Sequence, residues 1–204
     1  MTGQKPGRIA ETARNWWHEL QPVSGVRPGD RATLARLRRC DSVTDALFEP
    51  AVQALARRCG ARHEHTLLRV ALVAAVLAHV RSDDAARPVA RRIGPVDTKD
   101  ARPDTTDVIK TALCKPVRFR RLLDADTFDE CLRAFRRLVM LAGQGVNVAD
   151  LAGSVYAWPR EGARDDTAAD RVRVRWVYEY WNAGEPNDGA ASDESVESEK
   201  ELQS

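Results

Sequence analysis

The run from Leu67 to Val80, LLRVALVAAVLAHV, limits the fold of this chain more than any other stretch. As a helix it is apolar on nearly every side, broken only by Arg69 and by His79 near its end. At about 14 residues it is short of the ~20 needed to cross a bilayer. A helix with no polar face must instead be wrapped by other protein. The segment His63–Arg81 is therefore expected to be a central helix, and the rest of the chain must supply elements with one apolar face each. His79 is read as a satisfied core or cap group.

The flanking sequence supplies them. Ile9, Ala13, Trp16, Trp17 and Leu20 recur at helical spacing, and Pro22 and Gly25 end that element. Adjacent tryptophans can stack a nucleic-acid base, but beside other apolar residues at this spacing they are read as core. Asp30 is placed to cap a helix in which Leu34 and Leu37 point inward. Phe48, Val52, Leu55 and Cys59 form a further stripe closed by Gly60. Asn147 and Asp150 begin a helix carrying Leu151, Val155 and Trp158, stopped by Pro159. Arg171–Trp181, RVRVRWVYEYW, alternates like a strand, yet its helical reading sets Arg171 and Arg175 opposite Val172, Trp176 and Tyr180. A lone strand would lack a partner, so helix is assigned. Between Ser82 and Thr106 periodicity vanishes among Pro88, Pro95 and Pro103, and a mobile connector of about 25 residues is expected there. A short helix at Val108–Leu113 follows it. The fold class is all-α: a helical bundle forming one domain or two small lobes.

One stretch joins fold to function. From Cys114 to Ala142 two arginine-bearing helical segments flank the turn-like Asp124–Thr127. In the second, Phe128, Cys131, Leu132, Phe135, Leu138, Val139 and Ala142 share one side and Arg133, Arg136 and Arg137 the other. Thr127 and Glu130 make a capping box for it. The first segment carries Arg118, Arg120 and Arg121. Arg31, Arg36, Arg38 and Arg39 are a second cationic cluster with few local acids.

The formal net charge of +2 hides an uneven distribution. Residues 185–204 hold seven acids against Lys200, which leaves 31 bases and 23 acids on residues 1–184. A body of +8 with an acidic tail suggests a polyanionic partner, although from charge alone solvated helix faces are the favoured reading. The division expected is a helical domain over 1–184 and a disordered tail over 185–204, whose composition cannot support a core. Folding back of this tail onto the body would suppress non-specific binding.

Enzyme signatures are absent. No phosphate loop or dinucleotide fingerprint occurs, and Gly153-Ser154 lies in AGSVY, outside any nucleophile elbow. Cys40, Cys59, Cys114 and Cys131 form no CxxC pair, and Cys59 with His63 and His65 lacks a second ligand pair. They are read as reduced thiols of a cytoplasmic protein. Asp83-Asp84, Asp124 with Asp126, and Asp165-Asp166 sit where capping or loop aspartates belong. No metal, cofactor, small-molecule substrate or membrane contact is expected, and the first thirty residues lack a signal-peptide core.

Together these elements resemble the CasB family, the small subunit of the type I-E CRISPR surveillance complex Cascade. The likeness rests on the Trp16-Trp17 helix, GDRATLARLRR (Gly29–Arg39), Arg118–Val139, Asn147–Trp158 and Arg173–Trp181. It implies an all-helical, non-catalytic protein. Two copies would sit head to tail beside other Cascade subunits and the crRNA ribonucleoprotein. The basic surface would bind target DNA and stabilise the displaced strand of the R-loop. The candidate contacts are Arg31, Arg36, Arg38, Arg39, Arg118, Arg120, Arg121, Arg133, Arg136, Arg137, Arg171 and Arg175. Arg120 and Arg121 are alternatively contacts to a neighbouring subunit. Local pairing is the competing fate, through Asp129 with Arg133 and Arg175 with Glu179. The connector and the acidic tail depart from the family pattern. A helical protein-interaction adaptor is the alternative function.

Overall fold

The structure is a computed structural model that describes residues 6–23, 25–26, 28–96, 106–161 and 167–181. The expected acidic tail, Asp165-Asp166 and the second half of the connector lie outside these residues. Among the described residues the architecture is all-helical apart from one two-residue strand pair.

The apolar run forms α5 (Glu64–Leu77), in which every residue from Arg69 to Leu77 is buried. Around it pack α1 (Pro6–Leu20), α2 (Arg31–Arg39), α3 (Val43–Leu47), α4 (Pro50–Arg58), α9 (Phe128–Leu141) and α10 (Val148–Ala157). Arg69 interrupts the apolar pattern for a reason. Its guanidinium donates to the carbonyls of Tyr156 at 2.6 Å and Pro159 at 2.7 Å, where α10 ends. The last carbonyls of a helix have no partner of their own and carry partial negative charge, so a buried cation there satisfies both needs.

The α1 stripe is buried in full, Trp16 and Trp17 included, and Trp16 Nε1 donates to the Ala51 carbonyl at 3.2 Å. Asp30 caps α2 by accepting from the Thr33 amide at 2.9 Å. The expected Phe48 stripe is corrected. Phe48 is 86% exposed at the end of α3, while Val52, Leu55 and Cys59 are buried on α4. Pro50 starts a separate helix because its fixed φ suits the first turn and it has no amide to continue α3.

The connector is also corrected in its first half. Ser82–Asp83 (β1) pairs in parallel with Gly145–Val146 (β2) over two residues, where the sequence reading has only connector. Asp83 accepts from Arg14 Nε at 2.6 Å and the Val148 amide at 3.1 Å, contacts that hold its carboxyl below the usual range despite burial. Asp84 pairs with Arg92, and Asp150 accepts from the Val89 amide at 2.7 Å, which starts α6 (Val89–Ile93). Carboxylates of the segment itself and Asp150 of α10 thus order a stretch with no hydrophobic period of its own. A short helix, α7, spans Thr106–Thr111.

Arg171–Trp181 lies in α11 (Thr167–Trp181), which packs on α6 and α10. Gly94 ends α6 against the α11 backbone, where an added Cβ would lie 2.1 Å from the Tyr180 carbonyl oxygen. Only glycine permits that approach.

Candidate nucleic-acid interface

The Cys114–Ala142 stretch forms α8 (Pro116–Leu123), a turn and α9. Pro116 opens α8, and Phe119 and Leu122 are its buried side. Thr127 Oγ1 accepts from the Glu130 amide at 3.3 Å while the Glu130 carboxylate accepts from the Thr127 amide at 3.2 Å, completing the expected capping box. All seven apolar stripe residues of the second segment are buried, and Phe135 meets Trp158 and Trp176 edge to face.

Helix α11 clamps α8 at both ends. At the start, the Tyr180 hydroxyl donates to the Cys114 carbonyl at 2.7 Å and its ring stacks on Phe119 with centroids 4.1 Å apart. At the finish, Arg173 donates to the carbonyls of Leu123 at 2.9 Å and Ala125 at 2.8 Å, and to Asp126 at 2.8 Å. The same guanidinium reaches the Trp158 carbonyl at 2.9 Å and lies 5.0 Å from the Trp158 ring centre. Its burial is compensated by these acceptors.

Between α8 and α9 runs an open groove of about 1030 Å³. Arg118 and Arg121 line it from α8, and Arg133 and Arg137 from α9. All four are exposed, and among the described residues none of their guanidinium groups makes a hydrogen bond or ion pair. Leu122, Ala134 and Leu138 form an apolar floor that continues to Met140 and Leu141 at the end of α9. Asp124 and Glu130 lie at the turn end. The amides of Thr127 and Asp126 keep Glu130 ionised below the usual range. Five arginines, counting Arg136, thus face two carboxylates, and the groove is net cationic.

Arg136 and His79 also line this groove. Arg136 is corrected from the free cationic face. Its Nη2 donates to the Cys40 carbonyl at 2.7 Å and more weakly to Leu37 at 3.3 Å, satisfying the end of α2. His79 is corrected too, because its Nε2 is buried without a partner. Burial, then Arg136 and Arg38, hold this imidazole down to about 4, so it is neutral near pH 7. Arg38 of α2 and Arg136 of α9 thus both lie close enough to His79 to disfavour its charged form. Arg38 donates from Nε to the Ala78 carbonyl at 2.7 Å, and burial, then the exposed Arg81, lower its basicity.

The other candidates disperse. Arg36 pairs with Glu49 at 2.8 Å, an acid supplied by another helix rather than by its neighbours in sequence. Arg175 pairs with Asp150 at 2.7 Å and with Glu179 at 3.1 Å, the latter as its spacing predicts. Arg171 lines a separate hollow of about 450 Å³ together with Arg175. Arg31, Arg39 and Arg120 are exposed but do not line the groove. Asp129 does not pair with Arg133. It accepts from the Val43 amide at 3.2 Å and caps α3 instead.

The four cysteines are free and buried. Burial pushes the Cys59 thiol up to about 11 and Cys131 to about 12, the opposite of what a thiolate nucleophile needs. Among the described residues no three His, Cys, Asp or Glu side chains gather as a metal site, and no helix is long and apolar enough to cross a membrane.

A sequence profile described as CRISPR-associated protein Cse2 matches residues 33–181. Two solved structures share the fold. The crystal structure of M. ruber CasB superposes with a TM-score of 0.57 at 20% identity, covering 84% of this chain and 93% of the other. That of CasB from Thermobifida fusca gives 0.52 at 17% identity, covering 86% and 94%. No curated protein matches the chain.

Proposed function

This chain belongs to the Cse2 family of CRISPR-associated proteins, a family of Cascade subunits, and on that premise we propose that it is the non-catalytic small subunit that steadies the displaced DNA strand of the type I-E R-loop. The observation that carries this reading is the α8–α9 groove, with Arg118, Arg121, Arg133 and Arg137 left open to solvent from two facing helices. Unpaired guanidinium groups along a track contact phosphates without reading bases. R-loop formation exchanges one duplex for another of similar stability, so a modest affinity for the freed strand shifts the balance.

In this reading the chain works in the cytoplasm, beside other Cascade subunits and the crRNA ribonucleoprotein, with a second copy head to tail. Complexes assembled with and without it are expected to bind crRNA equally, while the R-loop formed without it closes sooner. Equal R-loop lifetimes would favour the adaptor reading. One observation supports that alternative: Val174, Val177, Tyr178 and Trp181 form an exposed apolar stripe on α11 suited to a protein neighbour.

A further inference from the structure

A track for phosphates alone needs no apolar surface, yet this groove has one. Met140 and Leu141 are 57% and 37% exposed, and they continue the same α9 row that carries Arg133 and Arg137. Below them Leu138, Ala134 and Leu122 make the floor. The row therefore changes from cationic to apolar along one helix face, within one concavity. Its volume of about 1030 Å³ is at the upper end of sites that enclose small organic molecules, roughly 300–1000 Å³. Water gains nothing from an open hollow of this lining, whereas a nucleobase presents an apolar face of matching character.

We infer that the groove takes a single strand with at least one base turned down onto Met140 and Leu141 while its phosphates lie on Arg118, Arg121, Arg133 and Arg137. This rests on the proposed strand-binding role and adds to it a preference for unpaired over paired DNA. In a duplex the base faces are stacked and cannot reach the floor. The carboxylates of Asp124 and Glu130 repel phosphate at the turn end, so the strand leaves the groove toward Met140. Contact with the floor is through base faces, so all four bases are accepted.

The test uses the full chain and three fluorescent 20-mers: an oligothymidine strand, an abasic strand of the same length, and a duplex. Wild type is expected to bind the thymidine strand about fivefold more tightly than the abasic strand, the equivalent of about 1 kcal/mol. Met140→Ala with Leu141→Ala should remove that margin and leave abasic binding unchanged. Both side chains are partly exposed, so the fold survives their truncation, which an unchanged melting temperature would verify. Equal binding of thymidine and abasic strands by wild type overturns base insertion but leaves phosphate tracking intact. A variant that weakens both strands alike also overturns it. Binding to none of the three probes removes the strand-binding role itself and this inference with it.

Discussion

Replacing Arg133 and Arg137 together by alanine is the sharpest probe of the groove, because the structure sorts cations that look alike in sequence. If the four open arginines each meet one phosphate of a single strand, log affinity should fall with log salt at a slope of about −2.8. Between 50 and 200 mM salt that is a loss of about 50-fold. Removing two contacts halves the slope to about −1.4, and the same change in salt then costs only about sevenfold. Fluorescence anisotropy with a labelled 20-mer over that range reads the slope directly. The control is Arg36→Ala, whose charge is already met by Glu49 at 2.8 Å and whose loss should leave the slope unchanged. Two results would refute the sorting: a wild-type slope in the Arg133→Ala, Arg137→Ala protein, or an equal flattening in Arg36→Ala.

Other outcomes follow from the buried cations and the imidazole. Arg173→Met strips donors from the Leu123, Ala125 and Trp158 carbonyls and should lower stability by about 3 kcal/mol in urea unfolding; an unmoved midpoint would contradict its role at these helix ends. His79 is held to about 4 in the fold against about 6.5 in the unfolded chain, so the unfolded state takes the proton first. Stability is therefore complete above about pH 6.5 and falls as pH drops toward 4. His79→Gln should lose about 2 to 3 kcal/mol less than wild type between pH 7 and pH 4.5, and parallel curves for the two proteins would exclude the assignment.

Helical periodicity made most of the core readable. The α1 and α9 stripes depend on spacing alone, and each is buried as its spacing predicts. Beyond the Arg175–Glu179 pair, the fate of the arginines was not readable, since it depends on which carbonyl or carboxylate another element brings near. Arg38, Arg69, Arg136 and Arg173 all reach the ends of helices other than their own. Nothing within a turn of sequence identifies those acceptors. The same holds for Asp83 and Asp150, whose distant partners order a segment that reads as a connector. Phe48 failed differently, because Pro50 two residues later marks a new helix and outranks an apolar repeat that runs across it.

The clamp of α11 on α8 bears on how this protein could be dissected. A peptide spanning residues 114–142 would keep both arginine rows, but not Tyr180 on the Cys114 carbonyl or Arg173 on those of Leu123 and Ala125. Without those pegs the two rows have no fixed separation, and a transplanted hairpin would carry the charge without the gauge. The groove is thus not a portable module. Its width is written as much in α11 as in the two helices that line it.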